Sequence, residues 1–179
     1  SRRMGVVNKL LCEVDGTPMV VAAVREATAA GLEPVVVVTG HQASRVRAAL
    51  ADAQVTFAHN DAYADGLSTS LRCGLSALPE SASAAVVCLA DMPAVRSAVL
   101  EKLMAAYDPV EGRSVCVPTW QGKRGNPILW DRDLFADMMS VNGDTGARHL
   151  LGEHEASVCE VAMADDAVLR DIDSPTDLE

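Results

Sequence analysis

Aromatic side chains are scarce in this chain: two Trp, two Tyr and two Phe, 3% of its residues. With so few rings, Val, Leu, Ala and Met must fill the core. That favours interlocking helices and β-branched strands over an aromatic-rich β-sandwich. No apolar run reaches the roughly 18 residues of a membrane span, and no signal peptide is visible. No basic cluster occurs beyond Arg2-Arg3, and the formal net charge is −10. A duplex nucleic-acid binder would show a basic face, so neither a nucleic acid nor a membrane is expected as partner. The five cysteines include no C-x-x-C pair, and their odd count fits a reduced, cytoplasmic protein. Also missing are the P-loop pattern, the G-x-S-x-G elbow of serine hydrolases and the G-x-G-x-x-G of dinucleotide binders. His149 and His154 are five apart, the wrong spacing for one helical face, and no zinc site is read.

What is present is a regular alternation of apolar strands and helices. The chain has 179 residues, 49% of them hydrophobic. One domain spanning residues 1–179 is expected, burying roughly 70% of its unfolded surface. Thr17-Pro18 reads as an N-cap followed by proline at the first helical position, with the helix running to about Ala30 and stopping at Gly31. Pro34 to Thr39 is a continuous β-branched strand, typical of a sheet covered on both faces. A helix is expected over Ala43 to Ala51 and a short strand near Gln54 to Ala58. Ser68 or Thr69 caps a helix through Leu78. A strand at Ala84–Leu89 and a helix over Ser97–Tyr107 follow. Ser114–Pro118 and Pro127–Trp130 read as strands, Asp131–Ser140 and Thr145–Glu153 as helices, Ser157–Val161 as extended. Ser174-Pro175 starts a last helix. Repeated βα units imply a mostly parallel sheet with helices on both faces. Such a domain opens with an apolar strand, whereas Ser1-Arg2-Arg3-Met4-Gly5 is polar and turn-like, so that strand is expected ahead of Ser1.

Three apolar runs end in polar groups, at Thr39-Gly40-His41, at Asn60 and at Asp91. In a parallel sheet all three lie along the carboxyl edge, where ligands of open α/β sheets bind. Asp91 stands in Leu89-Ala90-Asp91-Met92-Pro93, just where a buried strand must stop, and can hold a divalent cation over a phosphate. Arg3, Gly5 and Lys9 form a small cationic loop suited to phosphate oxygens, or else a solvated basic turn. Asp65-Gly66-Leu67-Ser68-Thr69-Ser70-Leu71 offers backbone N–H groups to an anion or base edge, or simply caps a helix. Asp173, in Asp171-Ile172-Asp173-Ser174-Pro175, either joins Asp91 at a cation or caps the last helix.

These segments, in this order, resemble the MobA-like nucleotidyltransferases, and within them the molybdenum cofactor cytidylyltransferases. Ser1-Arg2-Arg3-Met4-Gly5 and Lys9 match the tail of an LAAGxSxRMG loop and the lysine that follows it. Asn60 with Gly66-Leu67-Ser68-Thr69-Ser70-Leu71 is similar to the N…GMSSSL segment of the cytidylyltransferase branch, where the guanylyltransferase branch has a PLAG-like sequence. Leu89-Ala90-Asp91-Met92-Pro93 resembles LADQP. Arg124-Gly125-Asn126-Pro127 resembles RGHP, with asparagine in place of histidine. Gly143-Asp144-Thr145-Gly146-Ala147-Arg148 resembles GDxGAR, and the stretch from Asp171 to Leu178 resembles DIDTPEDL.

The resemblance implies a Rossmann-like three-layer sandwich that uses CTP and Mg2+ (or Mn2+) to attach CMP to the terminal phosphate of the molybdopterin cofactor. In that picture Arg3 and Lys9 hold the triphosphate, and Asp91 and Asp173 hold the metal. Gly5, Asn60, Gly66, Ser68 and Ser70 line the nucleotide, while Arg124, Gly125, Asn126, Pro127 and Asp144 face the pterin. A monomer is expected, with a recipient molybdoenzyme as its possible protein partner. Three alternatives stand beside this reading. They are a MobA-like transferase with another nucleotide or acceptor, a relative of nicotine blue oxidoreductase, and a non-catalytic molybdenum cofactor chaperone.

Overall fold

The computed structural model describes residues 8–144 and 146–172. In chain order it contains β1 (Glu13–Val14), β2 (Thr17–Pro18), α1 (Met19–Ala29), β3 (Val36–Thr39), α2 (Ala43–Ala49), β4 (Thr56–His59) and α3 (Leu67–Ser76). There follow β5 (Ala84–Val87), α4 (Ser97–Ala106), β6 (Val115–Trp120), β7 (Lys123–Arg124), β8 (Ile128–Asp131), α5 (Phe135–Ser140) and β9 (Val158–Ala162). Short 3-10 turns fill several connections, and the expected helix over Thr145–Glu153 takes this form at Ala147–Leu151. The expected helix start at Ser174-Pro175 lies outside the described residues.

The α/β architecture read from the sequence is the one observed. β3 and β4 pair in parallel, with Val36 opposite Thr56 and Thr39 opposite His59. A five-stranded sheet runs β5-β8-β6-β7, with β9 on the other edge of β6 and parallel to it. β8 is antiparallel to both β5 and β6, so these two strands point the same way. The reason is the connection. Only seven residues separate β6 from β8, too few for the crossover that a parallel pair needs.

Strand alternation decides what each face buries. Val115 and Val117 of β6, with Ile128 and Trp130 of β8, face a cluster that includes Leu75 of α3 and Met138 of α5. Cys116 and Leu129, on the opposite face of the same strands, pack against Leu103 of α4. Helices therefore cover both faces of the sheet. A third cluster joins Val20 and Val24 of α1 to Val46 and Leu50 around α2, over Val37 and Phe57 of the β3–β4 pair. Among the described residues no helix is long and apolar enough to cross a membrane.

Two helix starts differ from the sequence reading. Thr17 does not cap α1. It pairs with Val14 across a turn in which Asp15 and Gly16 both have positive φ, 52° and 72°, and Pro18 takes the N-cap position. α3 begins at Leu67 with Gly66 as N-cap, so Ser68 lies inside the helix rather than capping it.

Candidate functional site

The site begins with hydrophobic packing. Leu10, Leu11 and Ala90 all insert into the cluster formed by α1, α2 and the β3–β4 pair. That shared anchorage brings their chain neighbours, Lys9 and Asp91, together. Lys9 Nζ lies 2.6 Å from Asp91 Oδ2, with the two side chains 12% and 20% exposed. Asn8 sets the local backbone, its Oδ1 accepting from the Leu10 N–H at 3.2 Å as N-cap of the 3-10 turn Lys9–Leu11. The C-terminal segment closes the group. Lys9 Nζ donates to the Ile172 carbonyl at 3.2 Å, and the Ile172 N–H donates to the Asp91 carbonyl at 2.9 Å. Asp173, the proposed second metal ligand, lies outside the described residues, as do Arg3 and Gly5. Among the described residues no three His, Cys, Asp or Glu side chains cluster to hold a metal.

A second group forms at the ends of β3 and β4. The Asn60 N–H continues the ladder to the Thr39 carbonyl at 2.8 Å. The Asn60 side chain, 6% exposed, donates to Thr69 Oγ1 at 2.8 Å and Ser70 Oγ at 3.0 Å, and accepts from the Ala62 N–H at 3.0 Å. Both amide hydrogens are therefore committed, and Asn60 acts by holding the first turn of α3. Thr69 shares that work, its single hydroxyl hydrogen lying within reach of the carbonyls of Ala62 and Gly66, at 3.0 and 2.8 Å from Oγ1.

Gly66 has φ +115°, ψ 169°, a conformation reserved for glycine. A Cβ there would lie 2.5 Å from the Gly143 carbonyl carbon and 2.8 Å from Asp144 N. This close approach lets Gly143 accept from the Ser68 N–H at 3.2 Å and Asp144 Oδ1 accept from the Leu67 N–H at 3.3 Å. Asp144, expected beside Arg124 to Pro127, thus sits at the first turn of α3. Ser68 is fully enclosed, and its hydroxyl has no hydrogen-bond partner among the described residues.

A cavity of about 660 Å3 opens beside Asp91, with Leu89, Met92, Val168 and Leu169 as apolar walls. Its polar lining is Lys123, Arg124, Asn126, Arg148 and Asp171. Arg124 and Asn126, both expected at the acceptor, line this cavity. Gly125 and Pro127 are buried and shape the wall instead. Gly125 donates to the Pro118 carbonyl at 2.8 Å, and the Asn126 N–H donates to the Val168 carbonyl at 2.9 Å. Any Cβ on Gly125 would meet the Val168 backbone.

The Arg124 guanidinium is not available as a lone cation. Nη1 and Nη2 grip Glu155 at 2.8 and 2.6 Å, and Nε reaches Glu160 at 2.7 Å. These bonds hold the Glu155 carboxyl below the usual carboxylate range and raise the Arg124 pKa further. Lys123, Arg148 and Asp171 were not singled out from the sequence. Arg148 stood within the quoted Gly143–Arg148 string, and only the folded geometry separates its part from that of Asp144.

The chain as a whole is similar to known proteins. The family model described as a MobA-like NTP transferase domain matches residues 1–158. A bifunctional protein GlmU of Corynebacterium aurimucosum is 30% identical over 181 residues, covering 96% of this chain and 36% of that protein. The chain spans between 21% and 36% of the length of the GlmU proteins that it matches. The crystal structure of Rv0371c from Mycobacterium tuberculosis in complex with manganese superposes with a TM-score of 0.82 at 26% identity, covering 98% of this chain and 90% of that one. A nucleotidyl transferase from Methanothermobacter thermautotroptrophicus gives a TM-score of 0.82 at 26% identity, covering 96% and 82%.

Proposed function

The chain belongs to the family of MobA-like NTP transferase domains, and we propose from that premise that it transfers CMP from CTP to the terminal phosphate of the molybdopterin cofactor, releasing pyrophosphate. The observation that carries the reading is the Lys9–Asp91 pair, a cation and a carboxylate held 2.6 Å apart beside the open cavity. The likeness of Asn60 and Gly66–Leu71 to the cytidylyltransferase segment supports CTP. The likeness of Arg124–Pro127 and Gly143–Arg148 to the matching strings of that branch supports the acceptor.

An oxygen of the acceptor phosphate attacks the α-phosphorus of CTP. The bond from that phosphorus to the α,β-bridging oxygen breaks, and pyrophosphate leaves with the electron pair. The attacking oxygen is already anionic near neutral pH, so the chain supplies no strong base. Its work is positioning and charge stabilisation. Lys9, steadied by Asp91 and the Ile172 carbonyl, offsets triphosphate charge, with Arg3 and Gly5 assigned to the same loop. The first turn of α3, fixed by Asn60 and Thr69, presents Ser70 and Gly66 to the nucleoside. Asp91 fits a hard cation, since Mg2+ or Mn2+ asks for one or two carboxylates and takes its remaining oxygens from phosphates and water. Asp173 is the proposed second carboxylate. Such a cation, held by these carboxylates, would supply neutralisation of phosphate charge. The five cysteines are all free thiols, which suits the cytoplasmic setting proposed here.

The match to GlmU proteins favours a second reading, in which another nucleotide or another phosphorylated acceptor is used. Asp91→Ala tests what the two readings share. It should lower nucleotidyl transfer on the order of 10²-fold while circular dichroism and melting temperature show a folded chain. Unchanged turnover in that variant would remove Asp91 from the mechanism. Mass spectrometry of the wild-type product distinguishes CMP on the molybdopterin cofactor from any other adduct.

A further inference from the structure

We propose that Arg148, not Arg124, is the residue that reads the anionic end of the acceptor, a phosphate monoester, and that the backbone carbonyl of Arg124, not its side chain, positions it. This rests on reading the cavity beside Asp91 as the acceptor site. Two arginines line that cavity, and their surroundings differ. Arg124 is gripped by the whole carboxylate of Glu155 and by one oxygen of Glu160. One positive charge faces two negative ones, so the group as a unit repels an anion.

Arg148 has no carboxylate partner among the described residues. Its one hydrogen bond runs from Nη2 to the backbone carbonyl of Arg124. That bond fixes one edge of the guanidinium and leaves its other donors directed at solvent. The turn that carries it, Ala147–Leu151, is pinned by the buried side chains of Ala147, Leu150 and Leu151, so an exposed head stands on a fixed base. Lys123 adds a second positive charge on the same rim, and Asp171 is the one carboxylate among the described lining residues. Arg170 is already paired with Asp166 at 3.2 Å. Arg148 and Lys123 are thus the part of the rim that attracts an anion, beside the apolar wall of Leu89, Met92, Val168 and Leu169. A planar fork suits a phosphate better than a point charge does.

The arrangement separates side chain from backbone. Because Arg148 is held by the Arg124 carbonyl, replacing the Arg124 side chain should not release it. Binding of phenyl phosphate, followed calorimetrically without nucleotide or turnover, tests this independently of the reaction assignment. Arg148→Ala should weaken binding about tenfold or more, since a charge-assisted pair is lost. Arg148→Lys should fall between the two. The charge-neutral double variant Arg124→Gln, Glu155→Gln should stay within about threefold of wild type, because no net charge changes and the carbonyl remains. In wild-type protein, the arginine Nε–H signal that vanishes in Arg148→Lys should shift on titration, while the signal that vanishes in Arg124→Lys should not. The proposal is overturned by full affinity in Arg148→Ala, by a loss in the double variant as large as in Arg148→Ala, by a shift of the Arg124 signal alone, or by no saturable binding to wild type.

Discussion

Gly125→Ala places a single methyl group against the backbone of the C-terminal segment. The new Cβ would stand 2.8 Å from the Val168 carbonyl carbon and 2.9 Å from its Cβ, with the carbonyl oxygen nearer still. Ordinary contact starts at 3.4 Å, so the carbonyl carbon must retreat by about 0.6 Å and the oxygen further. The obstacle is backbone, which no side-chain rotation relieves. Overpacking of this kind costs about 2 kcal/mol. Weakening the bond from the Asn126 N–H to the Val168 carbonyl adds about 1 kcal/mol. For a chain of this size a loss of about 3 kcal/mol lowers the melting temperature by roughly 6–12 °C. The displaced 3-10 turn, Ala167–Leu169, leads within a few residues to Ile172, whose backbone ties to both Lys9 and Asp91. A shift of about 1 Å at a reacting centre costs up to about 10²-fold in rate. Calorimetry and pyrophosphate release read the two effects. Gly152→Ala is the control, because Gly152 has φ −67° with open space around it, and it should leave both unchanged or raise stability slightly. Wild-type melting and wild-type rate in Gly125→Ala would refute the reasoning that Val168 and the reacting centre are mechanically joined.

Gly66→Ala forces a left-handed, glycine-only conformation onto alanine and drives Cβ into the Gly143 backbone. The Michaelis constant for the nucleotide should rise roughly tenfold, in line with about 1–3 kcal/mol of strain at the first turn of α3, and an unchanged constant would detach that turn from nucleotide binding. Cys116 is fully buried, and burial pushes its thiol up to about 12 from the ordinary thiol value of 9.0. Above the unfolded-state value the unfolded chain loses the proton while the native chain keeps it. Stability should therefore fall as pH rises from about 9 towards 12, by about 1.4 kcal/mol per pH unit from this thiol. Denaturant titrations of wild type and Cys116→Ala across that window should diverge, and parallel curves would contradict the burial argument.

The strands were legible where β-branched runs left no other reading, as at Val36–Thr39, Ala84–Val87 and Val115–Trp120. The helix starts were less so, for two different reasons. At Thr17-Pro18 a local signal was present and outweighed. Asp15-Gly16 is the dipeptide of a tight hairpin turn, and it draws Thr17 into pairing with Val14. At Ser68 no local signal exists, because the N–H groups of Leu67 and Ser68 are met by Asp144 and Gly143, more than seventy residues away. The same distance problem hid the state of Arg124. Its motif is visible in the sequence, but Glu155 and Glu160 reach it only through the pairing of β6 with β9 and the turn before it. Asp91 was legible as an acid at a strand end. That Lys9 meets it follows from Leu10, Leu11 and Ala90 sharing one apolar cluster, which is a tertiary fact.

The central claim is the transfer itself, and one measurement addresses it most directly: pyrophosphate release with each of CTP, ATP, GTP and UTP, in Mg2+ or Mn2+, with and without the molybdopterin cofactor. The account predicts release only when CTP and the cofactor are present together. Release with a different nucleotide, or release from CTP that ignores the cofactor, would contradict it.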